Sequence, residues 1–237
     1  MTMMLASVRT LDEALIALDG GADLIDLKEP SRGALGALDH AAVRICVQTI
    51  GGRRPVSATI GDLPLMEPRT MVAAVERMAA TGVDFIKIGF FAHPQAFDCA
   101  KALSELAGRT RLVAVIFADE PYDLALVNEL SRNGFAGVML DTAHKTGKTL
   151  REWRTGEELE EFVARGRSFD LITGLAGSLK REDIPPLIAI GPDYLGFRGA
   201  LCRNGVRVKV LDAVLLTEIR SAIPRSALLP VRRPLAA

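Results

Sequence analysis

The chain has 237 residues, about half of them apolar, with 29 Lys and Arg against 29 Asp and Glu. That supports one large core or two small ones, and zero formal net charge without a long basic run argues against nucleic acid or an anionic membrane as partner. Cys46, Cys99 and Cys202 stand far apart, His40, His93 and His144 are equally scattered, and no apolar run approaches a membrane span; with no leader pattern in "MTMMLASVRT" the expectation is a cytoplasmic protein using no metal and no other cofactor.

In chain order, "MLASV" (Met4 to Val8) reads as a strand, and "LDEALIALDGG" as a helix with Leu11, Ala14, Leu15 and Leu18 on one face and a glycine stop. A second strand runs from Leu24 to Glu29. A Gly-rich loop follows, then a helix over about 40–50. "PVSATIG" is the third strand, with a helix over about 69–80. "DFIKIGF" is the fourth, followed by a helix from Pro94 to about Ala107. "LVAVIFAD" precedes a helix from Leu124 to Arg132. "GVMLDTA" leads through "HKTGKT" into one charged helix ending near Ala164. "LITGLAGS" precedes the helix "KREDIPPLIAIG". "YLGFRGALC" (Tyr194 to Cys202) is the eighth strand, and "DAVLLTEIRSAI" the closing helix. Near-continuous apolar strands alternating with helices are the pattern of a covered parallel sheet. Eight such units predict a single (β/α)8 TIM barrel over residues 1–224, with a C-terminal tail over 225–237. A doubly wound open sheet is the competing architecture, although no G-x-G-x-x-G follows the first strand.

In such barrels chemistry collects at the C-terminal ends of the strands, and the unexpected charges of this chain fall there. Asp26 and Lys28 share one side of strand two, Lys87 sits between Ile86 and Ile88 of strand four, Asp119 ends strand five, and Asp141 ends strand six with His144, Lys145 and Lys148 beyond. Ile86 and Ile88 face the helices, so Lys87 points inward. Each residue alone has a structural reading: Asp26 and Lys28 as a rim ion pair, Asp141 as a turn cap. Together, two inward lysines and two inward aspartates suit carbonyl chemistry. Burial and mutual repulsion lower lysine pKa values, a neutral lysine forms Schiff bases, and a second serves as acid or base. After strands seven and eight, Gly177 and Ser178, then Arg198 and Gly199, offer a phosphate site of the kind these barrels carry there. The alternative is that these glycines only make tight turns.

The segments "EALIALDGGADLIDLKEPSRGALGA", "DFIKIGF", "VMLDTAHKTGKTL", "LAGSLKREDIP" and "GFRGALC" resemble the (5-formylfuran-3-yl)methyl phosphate synthase family of methanofuran biosynthesis, known from methanogens with relatives in methylotrophic bacteria. The resemblance runs from about Met4 to about Ile219. It implies a barrel that condenses two glyceraldehyde 3-phosphate molecules with loss of phosphate and water, without a metal. It further implies that Lys28 forms the Schiff base, that Lys87 transfers protons, and that Asp26, Asp141 and Lys145 complete the charged pocket. The chain is shorter than the archaeal pattern around strand five, at "FADEPYDLALVNEL". The expected partner is a small phosphorylated triose, and the apolar outer helices leave a homo-oligomer open. A class I aldolase-like phosphosugar lyase and a non-catalytic phosphometabolite-binding barrel remain as other readings.

Overall fold

The computed structural model describes residues 1–224, and the expected tail lies outside the described residues. Its strands are β1 (Met3–Val8), β2 (Leu24–Leu27), β3 (Val56–Thr59), β4 (Phe85–Phe90), β5 (Arg111–Phe117), β6 (Gly137–Asp141), β7 (Ile172–Leu175) and β8 (Tyr194–Phe197). All pair in parallel with their sequence neighbours, and β8 returns to β1 through Met3–Tyr194 and Leu5–Gly196, closing the barrel. The helices are α1 (Leu11–Asp19), α2 (His40–Ile50), α3 (Pro68–Ala79), α4 (Ala96–Ala102), α5 (Ser104–Ala107), α6 (Ala125–Arg132), α7 (Leu150–Trp153), α8 (Gly156–Ser168), α9 (Ile184–Ile190) and α10 (Ala213–Ala222). This is a single (β/α)8 barrel, and its closure excludes the open sheet. Among the described residues no helix is long and apolar enough to cross a membrane.

Strand alternation sorts the apolar residues into two bodies. Ile25, Leu27, Ile86, Ile88, Ile116 and Leu140 face outward into the core beneath the helices. Leu5, Leu24, Phe85, Val113, Val115, Met139 and Tyr194 face inward and fill the barrel. Each such buried aliphatic or aromatic side chain contributes about 1.5–3 kcal/mol. The Tyr194 ring occupies space that only glycine leaves open at residue 174, where a Cβ would lie 2.2 Å from the ring. Its hydroxyl donates to Met139 Sδ at 3.3 Å. The apolar plug therefore fills the lower barrel, and the inward positions nearer the C-terminal ends carry the polar groups.

Several elements end earlier than the apolar pattern predicts. The charged helix after "HKTGKT" is two helices, because T-x-x-E occurs twice in "TLREWRTGEELE". Thr149 N–H donates to Glu152 Oε2 at 2.7 Å, and Thr155 N–H donates to Glu158 Oε2 at 2.8 Å, so a second helix start interrupts the first. The helix expected from Pro94 to Ala107 likewise breaks at Leu103 into α4 and α5. Strand eight stops at Phe197 rather than Cys202, since a 3-10 turn over Gly199–Leu201 takes over. The strand-two and strand-five runs also end short, which leaves Lys28 and Asp119 just past their strands.

Candidate active site

The polar layer begins at Asp26. In the barrel register Asp26 lies beside Ser7 of β1 and Ser57 of β3. Both hydroxyls donate to it, Ser7 Oγ at 2.8 Å and Ser57 Oγ at 2.7 Å. Lys87 Nζ stands 3.2 Å from Asp26 Oδ2. Asp26 is 0% and Lys87 2% exposed, so this is a fully desolvated pair whose acid is satisfied on both oxygens. Burial pushes the Asp26 carboxyl up, but Lys87, Lys28 and the two serine hydroxyls outweigh it and hold the group below the usual carboxylate range.

Lys28 takes a different partner. Its Nζ lies 3.9 Å from Asp141 Oδ2, so the rim pair between Lys28 and Asp26 gives way to a crossed arrangement. Asp26 sits two residues deeper along the strand direction, level with the serines, and is claimed by Lys87. Lys28 is 6% exposed. Burial pulls its pKa from the ordinary lysine value down to about 8, against the opposing pull of Asp141 and Asp26 and with smaller help from Lys87 and Lys145. Asp141 accepts from Lys145 Nζ at 2.7 Å and from the Thr142 N–H at 2.7 Å, and Lys145 Nζ also reaches Thr142 Oγ1 at 3.1 Å. Burial raises the Asp141 carboxyl, yet Lys145 and Lys28 hold it far below the usual range. Lys28, Lys87, Asp141 and Lys145 all line one cavity of about 490 Å³ at the C-terminal mouth, with Asp26 directly behind.

The remaining charged residues near strands five and six build the loop. Asp119 accepts from the N–H groups of Ala143 and His144, both at 2.7 Å, and from the exposed His144 ring at 3.2 Å. It shapes the turn that brings Lys145 back over Asp141. Lys148 lies over the Trp153 ring, 4.7 Å from its centroid. Among the described residues no group of three or more potential metal-ligating side chains converges.

Gly177, Ser178, Gly199 and Arg198 border the same cavity. Gly177 has φ 114° and Ser178 φ 49°, a backbone reversal that favours glycine at the first position and strains a serine at the second. Arg198 requires a correction. All five of its N–H donors are engaged: Nε to Arg207 O, Nη1 to Ser7 O and Glu13 Oε2, Nη2 to Glu13 Oε1 and Lys209 O. Its side chain has no donor left for a phosphate, because it ties the long β8 loop to β1 and α1. Glu13 also accepts from the Arg9 and Leu211 N–H groups. Glu13→Gln is expected to leave the buried guanidinium without its counter-charge and to lower stability by about 3–5 kcal/mol, measured by denaturant unfolding. An unchanged unfolding midpoint would mean that the pair is not what anchors the loop.

Sequence reasoning passed over four contributors. Ser7 and Ser57 are detectable as small polar residues at inward positions of apolar strands. Asp62 accepts from the Ala34 and Leu35 N–H groups, both at 2.9 Å, and so pins the loop after Lys28. Arg207 also lines the cavity. Neither of the last two had a local signal, since both act from loops.

Comparison with known proteins gives one answer. The model of the 4-HFC-P synthase family matches residues 4–220. A Methylorubrum extorquens protein, provisionally named (5-formylfuran-3-yl)methyl phosphate synthase, is 45% identical over 93% of this chain and 91% of its own. The Methanopyrus kandleri protein of that name is 38% identical over 86% of this chain and 91% of its own. The Methanocaldococcus jannaschii protein of that name is 37% identical over 92% of this chain and 98% of its own. Among solved structures, phosphoribosyl anthranilate isomerase from Thermus thermophilus superposes with a TM-score of 0.64 at 15% identity, over 93% of this chain and 98% of its own. That likeness concerns the barrel alone. With a family match along nearly the whole barrel and relatives of matching length, the chain belongs to the 4-HFC-P synthase family of enzymes.

Proposed function

We propose that this enzyme condenses two molecules of glyceraldehyde 3-phosphate into (5-formylfuran-3-yl)methyl phosphate, with loss of phosphate and water, through a Schiff base on Lys28, as a lyase of methanofuran biosynthesis. The observation that carries this reading is Lys28 itself: a buried amine at the cavity wall with a pKa near 8, beside a carboxylate and a second inward lysine. Its neutral form attacks the carbonyl carbon of one triose phosphate. The carbonyl oxygen leaves as water after protonation, and the resulting iminium draws electrons from the adjacent carbon. Lys87, held by Asp26, takes and returns the proton at that carbon. The enamine then attacks the aldehyde of the second triose. Asp141 holds the Lys28 ammonium between turnovers and orients Lys145, which gives protons to departing oxygens. Phosphate is held by the turns after β7 and β8. Gly177, Ser178 and Gly199 supply backbone N–H groups there, where glycine lets an anion approach the chain closely.

Incubation with glyceraldehyde 3-phosphate alone, followed by mass and NMR identification of the product, tests the reaction. The furan phosphate is expected. A six-carbon sugar phosphate would assign an aldolase-type lyase instead, and no turnover would assign a binding barrel. The pH profile tests Lys28. Below its pKa of about 8 the amine is protonated, so imine formation is expected to rise about tenfold per pH unit up to that value and level off above it. A rate independent of pH between 6 and 9 would contradict a lysine nucleophile of that pKa.

A further inference from the structure

Six cationic side chains line the cavity: Lys28, Lys87, Lys145, Lys180, Arg198 and Arg207. Three carboxylates pair with them. Asp141 serves Lys28 and Lys145, Asp26 serves Lys87, and Glu13 serves Arg198. Arg207 differs from Arg198 in this respect. It has no ion-pair partner among the described residues, and the one protein acceptor it reaches is the Gly33 carbonyl, at 2.8 Å from Nη2. Burial lowers its pKa while Asp141, at longer range, raises it. A half-buried guanidinium with spare donors at the edge of a cavity is suited to a planar two-point contact with an oxyanion.

Its placement is held by the backbone. The Arg207 carbonyl accepts from Arg198 Nε at 2.7 Å, and Arg198 is tied to Glu13. The β8 loop is closed further by the Cys202–Leu211 bridge. The contact with Gly33 carries Arg207 across to the β2 loop, on the Lys28 side of the mouth. The Gly177–Ser178 turn follows β7, and β8 and β1 lie between β7 and β2. The two positions therefore flank the cavity from separate sides.

We propose that Arg207 forms a second phosphate subsite where the β8 loop meets the β2 loop, separate from the Gly177–Ser178 turn after β7, and there holds the phosphate of one of the two substrate molecules. This rests on the reading above, in which both condensing molecules are phosphorylated. Two bound esters require two anion positions. The surplus of cations over carboxylates provides the charge for both.

The test is titration of the full chain with inorganic phosphate by calorimetry, for wild type, Arg207→Gln and Arg207→Lys. Gln retains a donor for Gly33 but lacks the charge. Wild type is expected to bind two phosphates per chain. The Gln variant is expected to keep one with unchanged affinity and to bind the other about 10- to 100-fold more weakly. The Lys variant should fall between. KM for glyceraldehyde 3-phosphate should rise in the Gln variant by a similar factor, whereas borohydride trapping of unphosphorylated glyceraldehyde on Lys28 should proceed at the wild-type rate. Equal phosphate binding by all three proteins would overturn the proposal, as would loss of trapping together with phosphate binding, since that marks a general loosening of the loop. If phosphate binding falls as stated while wild type makes no furan, the subsite stands and the proposed reaction fails. If furan forms and neither phosphate binding nor KM moves, the subsite fails alone.

Discussion

Replacing Lys28 with arginine is expected to lower furan formation by about 10⁴-fold or more, the scale seen when a covalent nucleophile is removed. Arginine keeps a positive charge within reach of Asp141, which lies 3.9 Å from the present ammonium. The electrostatic support of that carboxylate should therefore persist. The guanidinium stays protonated at any working pH and cannot attack a carbonyl. Imine formation and turnover should vanish together, while the melting temperature stays close to wild type. Lys87→Ala gives a useful contrast. It removes a like charge that helps depress the Lys28 pKa, so trapping at Lys28 should survive and be partly restored at higher pH, with slow turnover. Measurable furan synthesis by the arginine variant would remove Lys28 from the covalent step.

Asp26→Asn should strongly destabilise the fold. It leaves Lys87, 2% exposed, without its counter-charge, at a cost of about 3–5 kcal/mol. For a chain of this size the melting temperature should fall by on the order of 10 °C. The pH dependence follows from the sign of the shift. The folded Asp26 carboxyl titrates below its ordinary value of 3.8, so its contribution is complete above that pH and is lost as pH falls through the lower folded value. The gap between wild type and variant should be widest near neutrality and narrow in acid. A gap that widens as pH falls below 4 would show that Asp26 is not stabilised as its anion. Activity should drop as well, by roughly 10²- to 10⁴-fold, because Lys87 loses the carboxylate that positions it for proton transfer.

The barrel was legible because its strands are short apolar runs and its helices repeat with their own period. The inward aim of Lys87 followed from Ile86 and Ile88 facing the helices. What the sequence did not carry is who partners whom. Asp26 and Lys28 are neighbours in the chain, yet Asp26 is bound by Lys87 and Lys28 faces Asp141, because the register sets Asp26 level with Ser7 and Ser57. Arg198 has the local look of a phosphate ligand, but its donors are consumed by Glu13, 185 positions earlier, and by carbonyls of a loop whose path no local pattern encodes. The early ends of several elements had a visible cause in one case, the repeated T-x-x-E. At strand eight the turn at Gly199 outweighed a continuing apolar run.

The central claim is a covalent bond between Lys28 and the substrate, and reductive trapping tests it most directly. Borohydride added during turnover of glyceraldehyde 3-phosphate converts an imine into a stable secondary amine, which peptide mass spectrometry locates. The account predicts loss of activity and a triose-derived mass on the peptide containing Lys28, absent from Lys28→Arg. A label on Lys87 or Lys145, or full activity after borohydride treatment during turnover, would contradict it.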